Sequence, residues 1–375
     1  MENLGLVSSF WAGKRVFLTG HTGFKGSWLA LWLSMMDAEV LGYALAPDTE
    51  PNLFDLAEVK RDVTSVIADV RDYKRLEECL KNFQPEIVIH MAAQPLVRKS
   101  YREPLETLDI NVMGTANLFQ AARGVESVRA ILNVTSDKCY YNREWEWGYR
   151  EDEAMGGFDP YSVSKGCSEL VTTAFRHSFY HAAAFDSHRV VLASARSGNV
   201  FGGGDWSEDR LIPDVIRAIA AHDTVQIRYP DAVRPWQFVL EPLRGYLLLL
   251  EHMVTKGISF AEGWNFGTRP TDEVPVRVVL NELKNIFGDE LKWSTDQEQQ
   301  LHEANLLRLD TTKARTRLGW QPAWDLRRGL KETALWYKTV LAKPAQTRTY
   351  SLELLEKYCE TTSMPALEEK RSYIN

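Results

Sequence analysis

The sequence predicts an α/β protein: a doubly wound parallel sheet joined to a smaller α+β lobe. Three observations predict it. Short apolar runs alternate with helix-periodic stretches through the first half of the chain, the pattern of repeated strand–helix units. The first run, Arg15 to Thr19, enters a glycine-rich turn that opens directly into a helix-periodic stretch. Beyond Arg196 the alternation gives way to loops rich in Gly, Trp, Pro and Asn. A chain of 375 residues also exceeds what one compact core usually holds. We therefore expect a first domain over residues 1–196 and a second lobe over 197–375, with some segments of the lobe returning to the first domain.

The turn after the first strand reads Gly20-His-Thr-Gly23-Phe-Lys-Gly26-Ser27, followed by Trp28 to Met36. Glycines here let the backbone approach a pyrophosphate, and the first helical N–H groups and the helix dipole face its charge. The order strand, glycine turn, helix marks a dinucleotide site of the Rossmann-like kind, with Gly20, Thr22, Gly23, Phe24, Lys25 and Gly26 as cofactor-binding candidates.

Glu39 to Ala44 is the second strand. Such a strand commonly ends in Asp or Glu for the adenosine ribose, but Ala44-Leu-Ala-Pro47 stands here and Asp48 lies one step beyond. No Lys or Arg occurs between Glu39 and Val59 to hold a 2′-phosphate, so NAD is expected rather than NADP. Asp69 and Val70 follow the run Val63 to Ala68; Asp69 either meets the adenine edge or is a turn residue before the helix Tyr73 to Phe83. Glu86 to His90 is a buried strand, and Met91, Ala92, Ala93 and Gln94 stand at its carboxyl end, where open α/β sheets bind ligands. Leu105 to Ala122 has helical periodicity and carries Asn111 and Gly114.

Strand Val128 to Val134 runs into Thr135-Ser136-Asp137-Lys138. A loop rich in Trp, Tyr, Gly and charge ends at Asp159-Pro160, and helix Tyr161 to His181 follows, with Lys165 one turn in. Strand Arg189 to Ala195 completes the alternation. In the second lobe we expect a loop over Ser197 to Trp206, a helix from Arg210 to Arg217, and helices over Asp310 to Gly319 and Leu326 to Tyr337. The polar tail after Lys343 is expected to wrap the surface, and some of the 12 tryptophans to pack a nucleotide or a subunit interface.

A net charge of −7 disfavours nucleic acid and anionic membrane as partners. Cys79, Cys139, Cys167 and Cys359 are scattered, which fits a reducing cytoplasm better than a disulfide framework. His177 and His181 are four apart but no H-E-x-x-H accompanies them, so no metal is expected. Met1 to Lys14 lacks the pattern of a signal peptide, and no run reaches the about 18 apolar residues of a membrane span.

Tyrosine is a poor base at its ordinary pKa near about 10. A lysine ammonium four residues on, with a nicotinamide cation beside it, would favour the phenolate. Ser136 could hold the same substrate hydroxyl. Ser136, Tyr161 and Lys165 thus suit oxidation of an alcohol with hydride transfer to NAD.

Thr19-Gly-x-x-Gly23-Phe-x-Gly26, the strand-end Ser136 and Tyr161-x-x-x-Lys165 together resemble the extended short-chain dehydrogenase/reductase family, over nearly the whole chain. Within it, the runs G-H-T-G-F-K-G-S-W-L, P-N-L-F, S-D-K-C-Y-Y-N, R-S-G-N-V-F-G-G-G-D-W, R-L-I-P-D, R-P-W-Q and W-N-F-G are similar to the nucleotide-sugar 4,6-dehydratases, with CDP-glucose as the substrate the likeness implies. The resemblance implies oxidation of the sugar at C4, loss of water across C5 and C6, and return of the hydride to C6. It places Lys165 on the nicotinamide ribose and gives Asn111 a structural or water-organising role. Asp137 becomes the acid at C6. Lys138 acts at C5, either as a base or as a cation beside the enolate; relatives that use dTDP-glucose carry glutamate at this position. Arg210 and Arg234 would meet the diphosphate, since the guanidinium fork suits phosphate, and Asn199 the sugar or phosphate. A homodimer or homotetramer formed through helices Leu105–Ala122 and Tyr161–His181 is implied, as is a deoxysugar product for a bacterial surface polysaccharide such as lipopolysaccharide O-antigen. The alternatives are another nucleotide-sugar dehydratase or a 4-epimerase, which needs no acid beside the serine. A cofactor-sensing regulator on the same fold is set against the intact Ser136, Tyr161 and Lys165.

Overall fold

A computed structural model describes residues 9–295 and 306–362. Seven parallel strands make the central sheet: β1 (Arg15–Thr19), β2 (Glu39–Ala44), β3 (Thr64–Ile67), β4 (Ile87–His90), β5 (Ala130–Val134), β6 (Val191–Ser197) and β7 (Gly263–Phe266). Their spatial order is β7-β6-β5-β4-β1-β2-β3, so the order reverses at β1, beside the glycine turn. That reversal opens a crevice at the carboxyl ends of the strands.

The strands are apolar on both faces because both are covered. Phe17, Leu41, Val88, Ile131 and Leu192 point to one face, where helices α2 (Tyr73–Phe83), α3 (Gly114–Ala122) and α4 (Pro160–Ser178) pack. Val16, Leu18, Ile87, Ile89 and Leu132 point to the other, against α1 (Phe24–Met35) and α6 (Leu240–Lys256). Between them in sequence lies α5 (Leu211–Ala220), in the second lobe. Three short strand pairs accompany it: Val200–Phe201 with Gln237–Phe238, Thr224–Ile227 with Lys292–Thr295, and Val233–Pro235 with Glu273–Pro275. Helices α7 (Val276–Phe287), α8 (Leu326–Ala342) and α9 (Thr347–Thr362) follow.

Two expectations are corrected. The stretch Leu105 to Ala122 is not one regular helix: Pro104–Leu108 passes through a wide π turn at Asp109–Met113 before α3 begins. The turn aims Asn111 inward, where its amide donates to Gln94 O and Ser164 Oγ and accepts from Gln94 N. The tail after Lys343 does not simply wrap the surface. It folds as α9 because Leu354, Leu355 and Tyr358 share one face and are buried, and Arg348 forks onto Asp62 at 2.6 and 2.8 Å. Residues 363–375 of that tail lie outside the described residues. The tryptophans serve mainly the core: Trp11, Trp28, Trp264, Trp320 and Trp336 are fully buried, and Trp28 Nε1 donates to Gly203 O at 2.8 Å, tying α1 to the second lobe. Among the tryptophans Trp236 reaches the wall of the central cavity.

Candidate active site

The crevice is a cavity of about 610 Å³. The glycine turn, the ends of β2 to β6, the start of α4 and the first part of the second lobe line it.

At one end the turn Gly20–Gly26 meets the start of α1. Gly23 precedes the helix and offers it no side-chain cap, and no acid stands in the first turn, so its N–H groups and dipole face the cavity. A Cβ on Gly26 would lie 2.0 Å from Gly20 O, so the turn is closed too tightly for any side chain there. Gly26→Ala should therefore destabilise the protein by about 1–3 kcal/mol and cost it its nucleotide. Urea unfolding, and the nicotinamide content of the purified variant, check this. Ala92, Ala93 and Gln94 continue the wall at the end of β4. The ends of β2 and β3 contribute Ala44 to Asp48 and Ala68 to Val70, with no Lys or Arg among them. Asp69 is held by Arg71, whose fork reaches its carboxylate at 2.6 and 3.0 Å while Arg71 N donates at 2.8 Å. These hydrogen bonds outweigh partial burial and keep the Asp69 carboxyl below the usual carboxylate range. The turn, the small wall residues and a wall without Lys or Arg at the ends of β2 and β3, where Arg71 is engaged by Asp69, fit a dinucleotide without a 2′-phosphate.

At the centre, β5 delivers Ser136 and Asp137 to the cavity, both buried, with Lys138 half-buried beside them. Ser136 Oγ donates to Asp137 Oδ1 at 2.9 Å and accepts from Lys138 N at 3.2 Å. Helix α4 starts where Asp159 caps it, accepting from Ser162 N at 2.9 Å, with Pro160 in the first turn. This places Tyr161 and Lys165 one above the other on the helix face toward the cavity, where both are buried. Burial pushes the Tyr161 phenol up to about 12; the Ser136 hydroxyl bonded to it and Arg210 pull back, and Asp137 pushes further. Burial, then Lys25, push the Lys165 ammonium down to about 8, against the pull of Glu169. Desolvation is thus the largest influence on both groups in the chain by itself.

Every catalytic, cofactor-binding and substrate-binding candidate from the sequence lines this cavity except Asn111, which sits behind the wall and fixes Gln94. In the second lobe Arg210 is anchored on the buried Asp205 at 2.9 Å. Asn199 and Arg234 stand nearby in the wall, and the backbone oxygen of Asn199 accepts from Gln237 N at 3.0 Å. Sequence reasoning missed three further cations of the wall: Lys99, and Arg98 and Arg228, which share Asp209 at 3.4 and 3.1 Å. Their only trace is Arg and Lys at the start of one helix and Arg at the end of one short strand. It also missed what braces the centre. Glu169, one turn after Lys165, accepts from Thr135 Oγ1, Ser194 Oγ and Arg196, and Arg196 donates to Tyr140.

The sequence pattern of the GDP-mannose 4,6 dehydratase family matches residues 17–333. A CDP-glucose 4,6-dehydratase of Salmonella typhimurium is 52% identical over 330 residues, which is 88% of this chain and 92% of that protein. A dTDP-glucose 4,6-dehydratase of Streptomyces venezuelae, solved with NAD bound, superposes with a TM-score of 0.73 at 23% identity, over 88% of this chain and 99% of that one. A UDP-glucose 4-epimerase of Thermotoga maritima gives a TM-score of 0.74 at 22% identity, over 87% and 99%. At such identities the two solved structures speak to the fold, which is the same twisted parallel sheet with the same flanking helices.

Proposed function

The chain belongs to the GDP-mannose 4,6 dehydratase family, and from that premise we propose that it converts CDP-D-glucose to CDP-4-keto-6-deoxy-D-glucose and water. The relative of that activity, alike over most of both chains, supports the substrate. The observation that carries the reaction is the meeting of Ser136, Asp137, Lys138, Tyr161 and Lys165 around one cavity that also holds the glycine turn.

NAD, when bound along Gly20–Gly26, Asp69, Val70, Ala92, Ala93 and Gln94, supplies the hydride acceptor for C4 and the hydride donor for C6. The residues do the rest. Ser136 and Tyr161 hold the C4 hydroxyl, and Tyr161 takes its proton; the Lys165 ammonium lies on the same helix face and favours that transfer. Oxidation at C4 acidifies the C5 proton. Lys138 acts at C5, as base or as the cation beside the enolate, while Asp137 protonates the departing C6 hydroxyl. An epimerase needs no acid at that place, and the burial of Asp137 beside Ser136 favours elimination. Arg210, Arg234 and Asn199 receive the diphosphate and sugar. The first domain, 1–196, carries NAD, and the lobe from 197 onward the sugar nucleotide.

We further propose a cytoplasmic homodimer or homotetramer that supplies a deoxysugar for surface polysaccharide. No helix among the described residues is long and apolar enough to cross a membrane. Leu105, Met113 and Leu170 are 81%, 52% and 59% exposed on the segments expected to pair between subunits, which supports that contact. The test of the activity is direct. Incubated with NAD and either CDP-glucose or dTDP-glucose, the protein should give the alkali absorbance of a 4-keto-6-deoxy sugar from CDP-glucose. Absence of that product from every nucleotide-glucose defeats the proposal.

A further inference from the structure

Lys25 belongs to the glycine turn, yet its side chain leaves the turn. It crosses to the end of β6 and to α6, where Nζ donates to Ser197 Oγ at 3.1 Å and to Tyr246 Oη at 2.9 Å. Those two hydroxyls are themselves bonded at 2.8 Å, and both residues are buried. The ammonium also lies 5.0 Å from the centre of the Tyr246 ring. A cation is thus fixed on three sides, at the end of β6. The next residue along, Gly198, packs against the Asp137 carboxyl so closely that a Cβ there would stand 2.8 Å from Oδ2. The same short segment therefore seats the Lys25 ammonium and backs Asp137. Two groups fix the charge balance around Lys25: burial, then Arg210, push it down to about 7, while Asp137 holds it up.

From this geometry we propose that Lys25 is a positioning residue for the elimination: its ammonium stabilises the Asp137 carboxylate left behind when Asp137 gives up its proton. In that step the Asp137 proton passes to the C6 hydroxyl oxygen. The C6–O bond breaks and water leaves, the C5–H pair becomes the C5–C6 double bond, and the C5 proton goes to the base at C5. One negative charge appears on Asp137, in a buried place, and a cation already fixed nearby needs no reorganisation to meet it. The inference rests on the assignment of Asp137 as the acid.

Lys25→Met is expected to keep its NAD, because the side chain leaves the turn, and to eliminate about 100-fold more slowly, while oxidation at C4 changes far less and only through the lost charge beside Lys165. In a single turnover with CDP-glucose, bound reduced nicotinamide then accumulates and is seen by its near-ultraviolet absorbance. Lys25→Arg should restore part of the elimination rate. Product formed at the parent rate overturns the proposal. So does a Lys25→Met protein that folds but has lost its NAD, since Lys25 would then serve the cofactor alone. Tyr246→Phe and Ser197→Ala each remove one hydroxyl that holds the ammonium and stand in if Lys25→Met does not fold: accumulation of reduced nicotinamide supports the proposal, and its absence from both overturns it. If the parent protein itself makes no 4-keto-6-deoxy sugar, the activity reading has failed, not this one.

Discussion

Replacing Tyr161 by phenylalanine lowers kcat roughly 10³-fold and leaves bound NAD in place. Only the hydroxyl is removed, from a side chain that is buried on α4 and whose ring keeps its packing. The hydroxyl is the group that Ser136 and Arg210 address, and it is the only phenol on the cavity-facing turn with Lys165. Without it nothing receives the C4 proton, so the first step stops. In a single turnover no reduced nicotinamide should form. That is the opposite of the signature expected for Lys25→Met, and the two variants together separate oxidation from elimination. Affinity for the sugar nucleotide, measured by calorimetry, should change little. A Tyr161→Phe protein that turns over normally removes Tyr161 from the chemistry.

The second large effect is on stability. Arg196 and Glu169 form an ion pair at 2.9 Å with both side chains almost wholly buried. Burial pushes the Glu169 carboxyl up, but Arg196 and the hydroxyls of Ser194 and Thr135 outweigh it and hold it down at about 2. Arg196→Met leaves that carboxylate buried without its counter-charge, held only by the Thr135 and Ser194 hydroxyls, and should cost about 3–5 kcal/mol in urea unfolding. Adding Glu169→Gln should recover part of the loss; a double variant as unstable as the sum of both singles would show the pair to be uncoupled. The pH dependence has a fixed sign. A carboxyl held below its unfolded value of about 4.3 contributes its full stability above that pH and loses it as pH falls toward about 2. Arg196→Met should remove this contribution to acid sensitivity.

Much of this was legible in the sequence, because the informative residues are local. The strand, turn and helix around Gly20–Gly26 follow one another without interruption, and Asp159-Pro160 is a helix start by itself. The placement of Ser136 and Tyr161 together also followed, since both stand where strand ends meet helix starts in a parallel sheet. What escaped was contact across long separations. The partners of Lys25, Ser197 and Tyr246, are far along the chain, and nothing in a glycine turn says that its lysine points away from it. Glu169 reads as an ordinary helix residue until Thr135, Ser194 and Arg196 close around it. The tail after Lys343 reads as polar because α9 buries only one narrow face, which a compositional reading averages away. The π turn at Asp109–Met113 leaves no sequence mark, because the partners that hold its Asn111, Gln94 and Ser164, lie far from it in the chain.

β7 comes from far downstream yet forms the edge of the central sheet, pairing Asn265 with Arg196 and Phe266 with Ser197. As the chain leaves the ribosome, β1 to β6 emerge first and can assemble with one side of β6 bare. The strand that carries Arg196 and Ser197 gains its outer neighbour only after Phe266 has emerged. Tyr140, whose hydroxyl donates to Asn265 at 2.8 Å, gains its anchor at the same moment. The sheet edge behind Arg196 and Ser197 is therefore completed late in synthesis, so a nascent chain halted before that strand would carry the glycine turn and Tyr161 on a sheet whose far edge is still unfinished.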